Sequence, residues 1–280
     1  MRVKSFAASV TRHHLPVTST FPDATISLAG AGQMPLLGFG TWQLRGDEAF
    51  TAVACALEVG YRHLDTATIY GNEAEVGLAI AKSGIERETL FVTTKVPPNR
   101  AGQESRTLQD SLEKLGMDRV DLWLIHWSAG RDADVEMWRA LISATDAGLA
   151  TSIGVSNYSL AQIDELEQAT GMLPAVNQIE WSPLLFHPGV LDGHRERGVV
   201  LEGYSALRGG TLRHPTIREI AERHEVSPAQ VIIRWHLQHE VVVIPKSANP
   251  ERIRSNADVT GLELSDEEMA QLDGLSGVKR

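Results

Sequence analysis

The chain has a single cysteine, Cys55, among 280 residues. No intrachain disulfide can form, and a reducing compartment, the cytoplasm, is the expected setting. No apolar run approaches the roughly 18 residues that a membrane-crossing helix needs, so no membrane partner is expected. Bases are also scarce: 26 Lys and Arg stand against 36 Asp and Glu, a formal charge of -10. Phosphate backbones are bound by basic patches, so a nucleic-acid partner is not expected either. The string G-x-G-x-x-G does not occur, which removes the usual signature of a doubly wound dinucleotide-binding sheet.

The first 22 residues carry Arg2, Lys4 and Arg12 with several Ser and Thr, and no acid precedes Asp23. Their longest apolar patch, FAASV, is too short for a secretory core. Residues 1–22 therefore read as a loosely ordered N-terminal extension, and residues 23–280 as one domain.

From Ala24 the text becomes regular. ATISLAGAGQMPLLG predicts a short hairpin turning over residues 29–33. Eight apolar bursts follow: PLLGFG (35–40), YRHLD (61–65), LFVTTKV (90–96), DLWLIH (121–126), TSIGVS (151–156), AVNQIE (175–180), VVLEGYS (199–205) and VVVIP (241–245). Helical periodicity fills the gaps: Phe50, Val53, Ala54 and Leu57 fall at i, i+3, i+4 and i+7 before Gly60. Ser227-Pro228 reads as a cap and first-turn proline ahead of AQVIIRWHL. Eight strand–helix alternations predict parallel strands with crossover helices, an α/β (β/α)8 barrel whose N-terminal β-hairpin caps the barrel bottom. A doubly wound open sheet is the structural alternative.

Polar residues follow every burst. In order these are Gly40-Thr41-Trp42, Asp65, Lys95, His126-Trp127, Ser156-Asn157, Gln178, Tyr204-Ser205 and Lys246-Ser247. In a barrel such positions converge on the C-terminal mouth, where active sites of this architecture sit. Each has a plainer reading alone. Asp65 can cap a turn, Tyr70 can anchor a loop, His126 can be a satisfied core residue, and the tryptophans can be packing. Lys95 needs a carboxylate partner to keep its charge, and Asp65, one strand away, is the candidate.

GFGTW (38–42), GYRHLDTATIYGNE (60–73), TTKV (93–96), IHW (125–127), IGVSNY (153–158), NQIEWSP (177–183) and IPKSANPERIRSN (244–256) together resemble the aldo-keto reductase superfamily. They stand in that family's order and spacing, and the resemblance covers nearly everything from Ala24 onward. It implies a catalytic tetrad of Asp65, Tyr70, Lys95 and His126. It also implies NADPH (NADP+), bound extended across the mouth, and a small-molecule carbonyl substrate. Ser156, Asn157 and Gln178 are then expected at the nicotinamide carboxamide and Tyr204 stacked on its ring. Ser205 and Leu207 fall along the pyrophosphate, with Lys246, Ser247, Arg252 and Asn256 around the adenosine. Gly40, Thr41, Trp42 and Asp65 complete the cofactor contacts, and Trp42, Tyr70, His126 and Trp127 face the substrate. Short-tailed bacterial reductases are the members it resembles, so an open pocket and broad acceptance are expected.

The chemistry can be stated physically. Carbonyl reduction by hydride transfer needs a proton for the developing alkoxide. Bringing a phenol about three units toward neutrality takes on the order of 4 kcal/mol, which one cation about 4 Å away supplies at an effective dielectric of 20. Lys95 is expected to lower the Tyr70 pKa in this way, with Asp65 holding Lys95. Asn249-Pro250-Glu251 opens a helix whose N-terminus, flanked by Lys246 and Arg252, is expected to take a phosphate and to favour NADPH over NADH. The alternative is a cofactor-binding regulatory module with little turnover, as in the potassium-channel β subunits that share the fold. A metal-dependent hydrolase would need His, Asp and Glu ligands gathered at the mouth, whereas Lys95 and Lys246 make it cationic, so no metal is expected. A glycosidase would need two facing carboxylates, and only Asp65 is well placed. A monomer is expected, because no helix face is left without a partner.

Overall fold

A computed structural model of the chain describes residues 23–29 and 32–277. The expected extension over 1–22 and the Gly30-Ala31 step of the hairpin turn lie outside them. Strands β1 (Thr25–Ser27) and β2 (Gln33–Pro35) pair antiparallel with Ile26 opposite Met34. A shallow cavity is shared by Thr25, Gln33 and Pro35 with Arg62, Phe91, Asp121 and Thr151. The hairpin therefore sits against the N-terminal ends of the barrel strands.

Eight parallel strands follow, each beside its sequence neighbour: β3 (Phe39–Gly40), β4 (His63–Asp65), β5 (Phe91–Val96), β6 (Val120–Ile125), β7 (Ala150–Ser156), β8 (Val176–Glu180), β9 (Val200–Tyr204) and β10 (Val242–Val243). The last strand returns to the first. Gly38 N–H donates to Val243 C=O (2.9 Å), Val243 N–H to Leu36 C=O (2.8 Å) and Gly40 N–H to Pro245 C=O (3.2 Å). These bonds close the barrel. Both faces of the central strands are covered, and all six residues of β5 are buried, including Thr93, Thr94 and Lys95. That explains why the strands read as continuous bursts rather than alternating ones.

The bursts at 35–40 and 241–245 are longer than the two-residue strands they yield, because beyond the regular ladder they pair across the seam through one bridge, Leu37 to Val243. The seam admits no side chain at residue 40. A Cβ on Gly40 would lie 2.8 Å from the Ile244 carbonyl oxygen.

The helices begin and end where their chemistry dictates. Helix α1 (Gly46–Val59) stops at Gly60, at φ +124°, a backbone conformation that a residue with a Cβ resists. Capping boxes start α5 (Leu160–Thr170) with Ser159 and Gln162, α8 (Pro228–Gln238) with Ser227 and Gln230, and α10 (Asp266–Asp273) with Ser265 and Glu268. Helices α2 (Glu73–Ser83), α3 (Glu104–Leu115), α4 (Arg131–Asp146) and α6 (Pro188–Glu196) are single crossovers. Where alternation predicts one helix after β9 there are two, α7 (Pro215–Arg223) and α8. Helix α9 (Pro250–Ala257) and α10 follow β10.

Candidate functional site

Lys95 and Asp65 lie side by side at the C-terminal ends of β5 and β4, 0% and 2% exposed. The Lys95 ammonium donates to both Asp65 oxygens at 2.7 Å and to the Thr66 carbonyl at 2.9 Å. The Tyr70 hydroxyl lies within reach of the same ammonium. Burial alone would drive Lys95 toward its neutral form. The negative charge of Asp65 outweighs that, and its pKa rises above the ordinary lysine value.

Tyr70 ends a short 3-10 turn, Thr68–Tyr70, after β4. Thr68 Oγ1 donates to the Lys95 carbonyl (2.7 Å), tying the turn to β5. Asn72, the N-cap of α2, donates to the carbonyls of Thr41 and Leu44 (2.9 Å each) and accepts from Thr66 Oγ1 (2.7 Å). The loops bearing Trp42 and Tyr70 are thereby locked together. The result sets the Lys95 ammonium 5.1 Å from the Tyr70 ring centroid. The expected lowering of the Tyr70 pKa is not what this geometry gives. Burial raises it, Lys95 pulls it down, and Asp65 raises it again, leaving the phenol above its usual value. Lost hydration of the phenolate outweighs one cation whose field Asp65 partly cancels.

His126, just beyond β6, meets Tyr70 edge-on at 5.7 Å between ring centres and stacks on Trp127 at 4.0 Å. Burial, helped by the Lys95 charge, pushes its pKa down to about 2, so the imidazole is neutral and offers one N–H. Trp42 and Trp127 are 41% and 42% exposed and line the cavity, which settles them as walls rather than core packing.

That cavity holds about 700 Å³ and opens at the mouth. At its inner end are Ser156, Asn157 and Gln178, already bonded among themselves. Ser156 Oγ donates to the Gln178 carbonyl (2.8 Å), Asn157 Nδ2 to Ser156 Oγ (3.0 Å) and Gln178 Nε2 to Asp65 (2.8 Å). Tyr204 lines the wall, its hydroxyl donating to Asn157 Oδ1 (2.7 Å). Asn157 and Ser205 adopt positive φ, +64° and +56°, where the chain turns off β7 and β9.

The outer end is cationic. Lys246, Ser247, Arg252 and Asn256 line it together with Leu207 and Ser205. The helix start at Pro250 is as expected, but its free N–H groups are not. Asn249 Oδ1 accepts from Glu251 N–H (2.8 Å) and Arg252 N–H (3.1 Å). An anion here meets side chains rather than backbone donors.

Gly40, Trp42, Asp65, Tyr70, His126 and Trp127 all border the cavity, as do the other expected residues, with two exceptions. Thr41 does not reach it; fully buried, its hydroxyl donates to the Asp65 carbonyl (2.9 Å) and positions that strand. Lys95 lies beneath, acting on the cavity only through its neighbours. Sequence reasoning missed Gln43 and Leu212 on the walls; Arg208, expected with Gly209 and Gly210 in a flap over the cofactor, does line the cavity. Arg208 sits over the Trp42 ring at 4.9 Å, linking the loop after β9 to the loop after β3. It also missed Glu202, a fully buried acid in the middle of β9. Among the described residues no group of three or more His, Cys, Asp or Glu is arranged to hold a metal, and no helix is long and apolar enough to cross a membrane.

The model of the aldo/keto reductase family matches residues 36–276. An aldo-keto reductase of Mycolicibacterium vanbaalenii is 46% identical over 263 residues, covering 92% of this chain and 94% of that protein. Morphine 6-dehydrogenase of Pseudomonas putida is 43% identical, covering 91% and 92%. A solved aldo/keto reductase from Brucella melitensis superposes with a TM-score of 0.88 at 41% identity, covering 91% of this chain and all of that one. With the barrel closed and its mouth lined as described, the chain belongs to the aldo/keto reductase family.

Proposed function

We propose that this chain is an NADPH-dependent oxidoreductase that reduces aldehyde and ketone carbonyls to alcohols, with Tyr70 as proton donor. The observation that carries the proposal is the buried Lys95–Asp65 pair under a phenol that opens, beside His126, onto the cavity. The names of two relatives agree with it: morphine 6-dehydrogenase, and the 2,5-diketo-D-gluconic acid reductase B of a Corynebacterium, 42% identical.

The donor set suits the cofactor. Short amide and hydroxyl groups at the inner end match a carboxamide, and the two cations at the outer end match a phosphate ester. Lys246 and Arg252 are both exposed there, and with the α9 amides taken by Asn249 they are the groups left to hold a 2′-phosphate. NADPH, when bound, supplies the hydride. The chain's own residues handle the proton. His126, neutral, donates a hydrogen bond to the carbonyl oxygen and polarises it. Tyr70 transfers its proton to that oxygen as charge develops there, and the Lys95 ammonium stabilises the phenolate left behind. Asp65 keeps Lys95 charged and aimed. In alcohol oxidation the same phenolate is the base.

The test is Tyr70→Phe, followed by NADPH consumption with a panel of aldehydes, α-dicarbonyls and keto sugars. The variant should bind NADPH with unchanged affinity and lose at least ~10²-fold in turnover. Turnover that survives refutes the role of Tyr70. A wild-type protein that binds NADPH but is silent across the panel overturns the function itself.

A further inference from the structure

Below the Asp65–Lys95 pair lies a second acid. Glu202, in β9, is 0% exposed and stands in register with Gln178 of β8 and Val242 of β10. The Gln178 amide is the side chain that reaches it among the described residues, and no bond of good geometry meets either carboxyl oxygen. The reason is visible in the pairing above it. Lys95 turns its protons toward Asp65, Thr66 and the Tyr70 hydroxyl, and the Gln178 amide donates to Asp65. The nearest basic group is His63 Nε2 at 3.7 Å, itself 0% exposed and within 3.3 Å of Thr93 Oγ1.

We infer that Glu202 is a positioning residue of the site, an uncharged carboxylic acid whose proton keeps a second negative charge away from the Lys95 ammonium that serves Tyr70. The charge count explains its value. Asp65 and Lys95 neutralise each other, so a phenolate at Tyr70 brings the cluster to one net negative charge. Ionised Glu202 would make it two, inside a core that solvates neither. The groups facing Glu202 are His63 and Asp65 from β4, Lys95 from β5, Tyr70 from the turn after β4 and the uncharged Gln178 from β8. Val242 of β10 brings no charge. Burial first, then the Asp65 charge, pushes the Glu202 acid up to about 8, against the Gln178 hydrogen bond and the Lys95 charge, which favour the carboxylate. Burial, then the Lys95 charge, pushes His63 down to about 3, so the imidazole does not supply a counter-charge. A charge on Glu202 raises the pKa of Tyr70.

The consequence is a pH dependence that the tetrad alone does not produce. In alcohol oxidation, where Tyr70 must lose its proton, Glu202 ionises first as pH rises and its charge then resists that loss. The wild-type rate should climb with pH in a drawn-out, two-step rise. Glu202→Gln keeps the shape and removes the ionisation, so its rise should be a single step displaced to lower pH by about one unit. A structural role alone would change Tm or KM but leave the shape of the profile. Infrared difference spectra of the wild-type protein give a readout independent of turnover. The carbonyl stretch of a protonated carboxylic acid should be present at neutral pH, fade on titration toward alkaline pH, and be missing from Glu202→Gln.

Superimposable oxidation profiles for the two proteins overturn the inference. So does a wild-type spectrum without a titrating protonated-acid band, which decides the matter even if Glu202→Gln does not fold. The inference rests on the proposed reaction, and the two failures differ: a protein inactive on every carbonyl refutes the reaction, while the infrared band still reports on Glu202.

Discussion

Removing Asp65 and Lys95 singly and together separates what the pair does for stability from what it does for chemistry. Both are buried, and three hydrogen bonds of 2.7, 2.7 and 2.9 Å hold the ammonium. Lys95→Met strands a carboxylate in the core, and Asp65→Asn strands an ammonium. Breaking a buried pair from one side costs about 3–5 kcal/mol. The double variant strands neither charge and should return to within about 1–2 kcal/mol of wild type. Urea unfolding monitored by circular dichroism measures this, provided the slope of the transition stays constant across the four proteins. Turnover should follow a different pattern. At the 5.1 Å separating the ammonium from the Tyr70 ring, a unit-charge attraction at an effective dielectric of 20 is about 3 kcal/mol, or roughly two decades in rate. Lys95→Met and the double variant should therefore both lose about 100-fold or more, although one is unstable and the other is not. Additive stabilities would refute the pairing argument. A Lys95→Met enzyme turning over within threefold of wild type would refute the electrostatic one.

Arg252→Ala should weaken NADPH by about tenfold or more and NADH hardly at all, measured by fluorescence titration; equal losses would remove Arg252 from the 2′-phosphate. Glu268 holds α10 to α7, bonded to His224 at 3.0 Å, Arg223 at 3.0 Å and the Ser265 amide at 3.0 Å. Its burial would raise its pKa, but the bond from His224 and then the others win, and it is lowered from 4.5 to about 2. A depressed carboxylate stabilises above its unfolded pKa and stops doing so as pH falls through the folded one. Glu268→Gln should therefore cost about 2–3 kcal/mol at neutral pH, a deficit that shrinks between pH 4.5 and about 2 in pH-dependent thermal melts. Gly40→Ala, forced against the Ile244 carbonyl, should lower stability by about 1–3 kcal/mol on a calorimetric scan; an unchanged Tm would mean that the seam yields.

Much of this site was legible in the sequence because a barrel gives every strand end the same address. Asp65, His126, Asn157 and Lys246 could be assigned to the mouth before any coordinate, since burst length and parallel crossover place them there. The partner of Lys95 was legible for the same reason. What escaped depended on balances rather than positions. The sign of the Tyr70 shift turns on burial against two opposed charges, and only the packed structure gives burial. Asn249 reads as a cap in the sequence, yet that same cap consumes the amides that would otherwise have met a phosphate. Gln43 and Leu212 sit in loops whose paths no periodicity encodes. Glu202 did leave a signal: an acid inside VVLEGYS is anomalous in a buried strand. Apolar neighbours masked it, and without its surroundings it had no role to suggest.

The seam between β3 and β10 makes the barrel a ring with a clasp. Its two strands are the shortest in the sheet, and one glycine lets their backbones meet. The large cavity straddles that clasp, taking Gly40 and Trp42 from one side and Ile244, Lys246 and Asn256 from the other. A molecule filling it therefore joins the first barrel strand to the last and to the helix that follows. Occupancy and fold integrity become one equilibrium, in which a ligand at a hundred times its Kd adds about 2.7 kcal/mol. Limited proteolysis should therefore cut the chain more slowly when the cavity is filled than when it is empty.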